Sequence, residues 1–275
     1  MARLLRNTML LAAAMLLISS CATLSGSGVG RVKHYVVESD RLPAPFDGVT
    51  VAFISDLHFP SKFTPKRLSK LVARLRDEAP DVLLLGGDYA ASGEQAKSLF
   101  SAFSSLNIAF GKYAVLGNHD TRLRDTLRVA MESAGVRLLA DEVVCVERER
   151  SAIALVGVGN SFSPSPAVLD TLSSVSLAGF TIAIAHTPDF AQDTDAACDL
   201  VLAGHTHGGQ VSLLGFYTPV KNTKYGKRFL RGLNKTSKGV PVITTNGVGT
   251  SRRKVRFCVP SEIVIITLRS CLNSE

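Results

Sequence analysis

The chain has 275 residues, 46% of them hydrophobic and 20% charged, and a formal net charge of +8 at pH 7. This composition is ordinary for a globular protein of one large or two small domains. A modest basic excess fits either an anionic partner or simple solubility, and the lack of tryptophan argues against nucleic acid, whose bases stack on aromatic rings.

The first 21 residues are typical of a targeting segment. Arg3 and Arg6 precede an apolar run from Met9 to Ile18, which is shorter than the segment of about 20 apolar residues that usually spans a bilayer. The residues ISSC, ending at Cys21, resemble a bacterial lipobox, in which the cysteine is acylated. We therefore expect a membrane-associated protein and favour a signal peptide and an exported lipoprotein, with an uncleaved inner-membrane anchor as the alternative. Residues 22–45 are predicted to form a tether and a first strand.

Five short apolar runs share one feature, because each is followed at once by a glycine or by a polar cluster with Asp, Asn or His. Continuously apolar runs of this length predict strands that are buried on both faces. The runs are VTVAFI, DVLLL, YAVL, TIAIA and DLVLA, and the residues that follow them are Ser55–His58, Gly86–Asp88, Gly117–Asp120, His186 and Gly204–His207.

Helical patterns separate the first three of these strands. Thr64 and Pro65 have the positions of an N-cap and a first helical residue. Ser92 and Gln95 predict a capping box at the start of the second helix, and Gly135 predicts the C-cap of the third. Strands that alternate with helices predict an α/β protein.

The polar clusters are expected to meet, because ligands bind beyond the carboxyl ends of strands in open α/β sheets. Five of the six histidines occupy these clusters, and only His34 does not. One such histidine alone would be an ordinary hydrogen-bonded residue, but five imidazoles gathered with carboxylates require a positive charge among them. Imidazole, carboxylate and amide ligands favour zinc, iron or manganese over calcium or magnesium. We therefore predict a centre of two metal ions, since one aspartate can bridge two cations.

Together the five clusters resemble the signature of the calcineurin-like metallophosphoesterases, which reads Asp-x-His, Gly-Asp, Gly-Asn-His-Asp/Glu, a lone His and Gly-His-x-His. The later stretches GHTHGGQV and GVGTSRRKVRFCVPSEI resemble an exported or membrane-attached bacterial branch of that family. Some members of the branch cleave the pyrophosphate of UDP-2,3-diacylglucosamine in lipid A biosynthesis, and others are general phosphodiesterases. The resemblance implies a four-layer αββα sandwich and a metallophosphoesterase domain over residues 46–275.

The resemblance also implies roles for individual side chains. His119 would act on the scissile phosphate as an acid or charge stabiliser, and Asp120 would orient it. A hydroxide shared by two divalent ions, with manganese favoured over iron or zinc, would hydrolyse a phosphodiester or pyrophosphate. The metal ligands would be Asp56, His58 and His207 for the first ion, Asn118, His186 and His205 for the second, and Asp88 for both.

Substrate selection is expected to depend on residues after the last cluster. Arg252, Arg253 and Arg256 either contact substrate phosphates or anionic lipid head groups, or form a solvated basic face. Residues 212–232 mix aromatic and basic side chains and predict a lid, an interfacial patch, or a hairpin with an exposed basic side.

Two further expectations concern function and cysteines. The alternative function is a catalytically silent scaffold at the membrane, although such a protein usually lacks some ligands and none is missing here. UDP-linked lipids are made on the cytoplasmic side, whereas a processed lipoprotein faces away from it, so either the N-terminus is an uncleaved anchor or the substrate is another compound.

Without a CxxC spacing we expect mostly buried thiols rather than a disulfide framework or a structural zinc site. The cysteines concerned are Cys145, Cys198, Cys258 and Cys271.

Overall fold

The structure, a computed structural model, describes residues 6–7, 28–61, 63–194, 197–213 and 217–271. The predicted targeting segment, with its lipobox at Cys21, and most of the predicted tether fall in residues 1–27, of which only 6–7 are described. Those predictions therefore lie outside the described residues. Within the described ranges, no helix combines the length and the hydrophobicity that crossing a membrane requires.

Two β-sheets of six strands each form the centre of the described part of the chain. In chain order the strands are β1 (Arg31–Ser39), β2 (Thr50–Ile54), β3 (Val82–Leu85), β4 (Lys112–Ala114), β5 (Val136–Leu138), β6 (Glu142–Arg148), β7 (Ser151–Gly157), β8 (Thr181–Ala185), β9 (Leu200–Ala203), β10 (Gly232–Lys235), β11 (Pro241–Thr244) and β12 (Glu262–Ser270). The spatial order is β1-β12-β2-β3-β4-β5 in the first sheet and β10-β11-β9-β8-β7-β6 in the second. The five strands predicted from the sequence are confirmed as β2, β3, β4, β8 and β9.

Helices cover the outer face of each sheet. They are α1 (Pro65–Glu78), α2 (Gly93–Phe103), α3 (Arg124–Glu132), α4 (Pro166–Ala178) and α5 (Asp189–Asp193), with short 3-10 turns at Ala44–Phe46, Thr121–Leu123 and His207–Gly209. The first three helices stand where the sequence predicts them.

The two predicted N-caps are present, whereas the capping box and the predicted C-cap differ from the structure. The Thr64 hydroxyl accepts the Arg67 N–H at the start of α1, and the Ser92 hydroxyl accepts the Gln95 N–H at the start of α2. The Gln95 side chain, however, accepts the N–H of Ala91 at 3.2 Å, one residue before the position that a capping box would require. The C-cap of α3 is Ser133 rather than the predicted Gly135, which follows two residues later with a positive φ of +66° that favours glycine.

Side chains alternate between two separate cores along each central strand. In β2, Val51 and Phe53 pack between the two sheets, whereas Ala52 and Ile54 pack against the layer of α1, α2 and α3. Strand β8 alternates in the same way between the inter-sheet core and a third cluster that includes α4 residues. Both faces of these strands are buried because a sheet and a helix layer cover them. The predicted α/β fold, a four-layer αββα sandwich, is confirmed.

The expectation of mostly buried thiols is wrong. Cys198 is buried and Cys258 is half-buried, but Cys145 and Cys271 are exposed. Cys145 lies on β6, which is an edge strand of the second sheet, and Cys271 follows the end of β12. Sheet edges and chain ends lack the second layer that buries the central strands.

Candidate metal centre

The loops that follow β2, β3, β4, β8 and β9 meet at one edge of the two sheets. Strands β2, β3 and β4 are parallel neighbours in the first sheet, and β8 and β9 are parallel neighbours in the second, so each sheet delivers its loops to the same side. The two sheets are linked there, because the His205 N–H donates to Asp56 Oδ2 at 3.0 Å and His186 Nδ1 lies 2.7 Å from Gly86 O.

A first group of ligand atoms surrounds the buried carboxylate of Asp56. Asp56, His58 and His207 offer ligand atoms that all lie within 4.8 Å of one another. His207 Nε2 is 3.3 Å from Asp56 Oδ1 and 3.3 Å from His58 Nε2. Asp56 is fully buried, yet its Oδ1 atom has no hydrogen-bond partner. An orphaned carboxylate oxygen beside two imidazole nitrogens fits a bound divalent cation.

A second group lies around His186. Its Nε2 atom is 3.2 Å from Asn118 Oδ1 and 3.5 Å from Asp88 Oδ2. Asp56, Asp88 and His186 again offer atoms within 4.8 Å of one another. The His205 ring stands beside them, with its centroid 5.1 Å from that of His186. The structure therefore brings all seven predicted ligands into one cluster.

Asp88 lies between the two groups. Its Oδ2 atom is 3.4 Å from His58 Nε2 and 3.5 Å from His186 Nε2, while its Oδ1 atom accepts the His119 N–H at 3.0 Å. Burial acts to raise the pKa of the Asp88 carboxyl, but His186 and His58 outweigh it and hold that pKa well below its usual value. A charged carboxylate oxygen thus faces both sets of imidazoles at once, which is the geometry of a bridging ligand.

Burial and the Asp88 carboxylate have opposite effects on the pKa values of the clustered histidines. It lowers the pKa of His58 and His205, and it lowers the pKa of His207 to about 3, so these rings are neutral and carry the lone pair that a metal requires. At His186 burial opposes protonation, but the Asp88 carboxylate outweighs it and raises the pKa to about 10. The position between Asp88 and His186 therefore attracts positive charge.

An unusual backbone conformation orients the side chains of most of these ligand residues. Five of them have positive φ values between 49° and 67°, which non-glycine residues rarely adopt. In an extended strand, His205 and His207 would point to opposite faces, but both lie in the left-handed region and contribute to the same cluster. Each such residue costs about 1–3 kcal/mol and persists only where its surroundings enforce it. The five are Asp56, His58, Asp88, His205 and His207.

His119 and Asp120 have different environments. His119 is exposed in the cleft, with its ring edge-on to His58 at a centroid distance of 5.3 Å. Asp120 is buried, and its carboxylate accepts backbone N–H groups from Asp88, Tyr89 and Gly117 at 2.7–3.0 Å. These bonds hold the loops of Asp88 and Asn118 together, and the His119 ring is not among the hydrogen-bond partners of Asp120 in the described residues. The expected orienting contact between Asp120 and His119 is therefore replaced by a backbone role.

The three predicted substrate-binding arginines occupy different environments. Arg252 lines the metal cleft, and Arg253 is exposed on the wall of a neighbouring pocket. Arg256 is only 1% exposed, and its guanidinium donates to backbone carbonyls of the protein itself. The expected contact of Arg256 with a substrate phosphate does not fit this position.

The cleft above the cluster has a volume of about 590 Å³. Its walls include residues that sequence patterns did not single out. Some follow predicted ligands closely in the chain, and others come from loops that are distant in the chain. Phe162, which is not among the lining residues of this cleft, was not predicted either; it is half exposed and places its ring edge-on to His205 at 5.0 Å. The unpredicted cleft residues are Phe59, Ser61, Ala90, Ala91, Thr250 and Ser251, and Asn222 comes from the predicted segment 212–232.

We expect Gly117→Ala to disrupt the cluster. A Cβ atom at Gly117 would lie 2.6 Å from the Asp88 backbone nitrogen and 2.8 Å from its Cγ, so the bridging carboxylate has to move. Overpacking of this kind costs about 1–3 kcal/mol of folding free energy. Metal analysis and thermal unfolding should show lost metal and lower stability. Gly179→Ala is the control, because its Cβ meets no atom within 4 Å, and an equal effect of both changes would contradict the prediction.

Known proteins resemble this chain along most of its length. Residues 49–209 match the family described as calcineurin-like phosphoesterase. The chain is 34% identical over 236 residues to phosphodiesterase YaeI of Escherichia coli (strain K12), covering 80% of this chain and 81% of that protein. It is 27% identical over 270 residues to the uncharacterized metallophosphoesterase YkuE of Bacillus subtilis (strain 168), covering 92% and 94%. The solved structure of TT1561 from Thermus thermophilus has a TM-score of 0.49 at 13% identity, covering 73% and 90%.

Proposed function

Because the chain belongs to the calcineurin-like phosphoesterase family, we propose that it is a phosphodiesterase whose seven clustered ligands hold two divalent metal ions. The enzyme class, a metal-dependent phosphoric ester hydrolase, follows from the family and from relatives such as phosphodiesterase YaeI. The two-ion proposal depends on the position of Asp88 Oδ2. This one atom lies 3.4 Å from His58 Nε2 and 3.5 Å from His186 Nε2. Manganese is the ion we favour, with iron or zinc as alternatives.

Each part of the cluster has a task in this proposal. When bound, the two ions would withdraw charge from the phosphate oxygens and would supply a water of lowered pKa as the nucleophile. Asp88 and Asp56 supply the negative charge that holds the ions, and the neutral rings of His58, His205 and His207 supply lone pairs. The exposed His119 faces the cleft, where it donates a proton to the departing oxygen.

A substrate with an apolar portion is the finer part of the proposal. A second pocket of about 330 Å³ adjoins the metal cleft, and the two share His207, Asn222, Ser251 and Arg252. Aliphatic side chains form much of this pocket, and exposed arginines stand at its rim. An anionic phosphoester joined to a hydrocarbon chain matches both features, and a lipid-linked pyrophosphate such as UDP-2,3-diacylglucosamine belongs to that class. The aliphatic wall consists of Val211, Pro219, Val220 and Val255.

We also propose contact with a membrane surface, which the exposed apolar residues near this pocket support. Leu213, Tyr217, Val220 and Val255 are each 41–61% exposed on the stretches that border the apolar pocket. Such a patch beside basic residues fits the interface of a bilayer with anionic head groups. We propose that the protein is held there by its N-terminal segment as an exported lipoprotein, with an uncleaved anchor as the alternative. A UDP-linked lipid substrate, made on the cytoplasmic side, requires the uncleaved anchor, and an exported lipoprotein requires another lipid-linked phosphoester. The mass of the mature N-terminus distinguishes the two, because acylation of Cys21 requires cleavage before it.

Hydrolysis of simple chromogenic esters tests the core of the proposal. With manganese present, we expect bis-para-nitrophenyl phosphate to be hydrolysed faster than para-nitrophenyl phosphate, because an anionic nucleophile is repelled less by a diester monoanion than by a monoester dianion. Activity should vanish with a chelator and return with added metal. A protein that binds two ions and hydrolyses neither ester would instead be the silent scaffold.

A lipid-linked substrate tests the finer part. We expect a diacylated UDP-sugar to be hydrolysed with a lower KM than the corresponding UDP-sugar without acyl chains, because the apolar pocket removes hydrocarbon from water. Val220→Asp in that pocket should raise the KM for the acylated substrate alone. Equal KM values for both substrates would remove the lipid-linked class and leave the diesterase activity intact.

A further inference from the structure

Arg256 is a fully enclosed cation whose five N–H donors all have acceptors within the protein. Nε donates to Gly249 O at 3.1 Å, and Nη1 donates to His207 O at 3.1 Å and to Val259 O at 3.3 Å. Nη2 donates to the carbonyls of Asn246 and Gly249 at 2.6 Å and of Gly247 at 3.2 Å. A guanidinium has five donors in a fixed plane, so none of them remains for a substrate.

Apart from Val259 O, the carbonyls that Arg256 binds belong to two loops that do not follow one another in the chain. One is the loop of His207, and the other is residues 246–249. The second loop is itself paired with the loop of Asp56, because Val248 N–H donates to Ser55 O at 3.0 Å and Gly249 N–H donates to Asp56 O at 2.9 Å. Arg256 therefore joins the backbones behind Asp56 and His207, whose ligand atoms lie 3.3 Å apart.

Both ligands need this support, because both have a backbone conformation that is strained. Asp56 has a φ of 59° and His207 a φ of 53°. Such residues stay in place only when several contacts enforce them. We propose that Arg256 is a positioning residue for the first metal ion, which fixes the backbone of His207 against the loop that holds Asp56.

The role is geometric rather than one of charge attraction. Burial lowers the pKa of Arg256 to about 10, so the guanidinium still carries its charge at neutral pH. The positive charge of Arg256 repels a metal cation. A residue that assisted metal binding by charge attraction would instead be an aspartate or a glutamate. What the guanidinium supplies is a planar set of donors at which five carbonyls converge, and without it these buried oxygens lose their partners.

The inference predicts that loss of Arg256 weakens one metal site more than the other. Arg256 donates to the loop of His207 and to the loop that is paired with Asp56, and it donates to neither Asn118 nor His186. It rests on the proposed two-ion centre but not on the reaction. The test is therefore a titration of Mn²⁺ into the full-length protein after chelation, followed by calorimetry and by the electron paramagnetic resonance spectrum. Two neighbouring Mn²⁺ ions give an exchange-coupled signal, and a single ion gives six lines.

We expect Arg256→Met to weaken one of the two Mn²⁺ sites by about 10- to 100-fold, the range for residues that support metal ligands, and to replace the coupled signal with six lines. Arg256→Lys should retain part of the affinity, because it keeps three donors and is the milder change should the methionine variant not fold. Arg67→Met is the matched control. Arg67 is equally buried and donates to Val248 O in the same loop.

Three results would overturn the inference. The first is unchanged binding of both ions in the Arg256 variants, and the second is equal weakening of both sites. The third is selective loss of the same site, to the same degree, in Arg67→Met, because the effect would then belong to the loop as a whole and not to Arg256. Because metal binding is measured without substrate, a protein that lacks phosphodiesterase activity can still pass or fail this test.

Discussion

Asp88→Asn is expected to lower kcat by about a thousandfold or more and to loosen both metal ions. In the structure, Oδ2 faces the imidazoles of His58 and His186, and Oδ1 accepts the backbone N–H of His119. An amide has only one oxygen, so one of these positions receives an NH₂ group. If the amide nitrogen takes the place of Oδ2, it points at the metal ions. If it takes the place of Oδ1, two N–H donors, those of the amide and of the His119 backbone, face each other. The remaining oxygen also lacks the negative charge that bridges two cations.

The measurement is steady-state hydrolysis of a phosphodiester together with metal content per chain. Asp170→Asn is the control, because Asp170 is a residue of α4 that undergoes the same chemical change away from the centre. It should leave both quantities unaffected. If Asp88→Asn retained near wild-type turnover with two ions bound, the assignment of a bridging role would fail.

His119→Ala is expected to keep both metal ions and to lose rate in proportion to how poor the leaving group is. His119 is exposed in the cleft, and its ring contacts that of His58. Loss of a general acid costs about 10²- to 10⁴-fold where the leaving oxygen needs a proton. A para-nitrophenolate leaves readily without one, so its release should be affected much less than that of an alkoxide.

Rates for a series of diesters with leaving groups of increasing pKa test this expectation. The plot of log kcat against leaving-group pKa should become steeper in His119→Ala than in the unchanged protein. His34→Ala is the control, because His34 lies on β1 with an exposed side chain near Glu78 and outside the cluster. Parallel plots for the unchanged protein and His119→Ala would indicate that His119 stabilises charge but transfers no proton.

Local patterns in the sequence determined the central strands and the position of the candidate site. Runs such as VTVAFI are apolar at most positions, because in β2 alternate residues pack against a second sheet and against helices. The polar clusters follow those strands directly, and parallel pairing brings the ends of β2, β3 and β4 to one edge. Residue type, spacing and chain order are therefore enough to indicate which histidines and aspartates meet.

The tertiary structure alone decided how the other polar residues are used. The family resemblance implied that Asp120 orients the neighbouring His119, yet the Asp120 carboxylate accepts the N–H groups of Asp88 and Tyr89, which are 32 and 31 positions away. Arg256 stands in a basic stretch that is typical of an exposed surface, yet it binds the carbonyl of His207, 49 positions away. Backbone groups are the same in every residue, so a sequence does not reveal which distant carbonyl or N–H a side chain will meet. Only the folding of separate loops onto one another determines those partners.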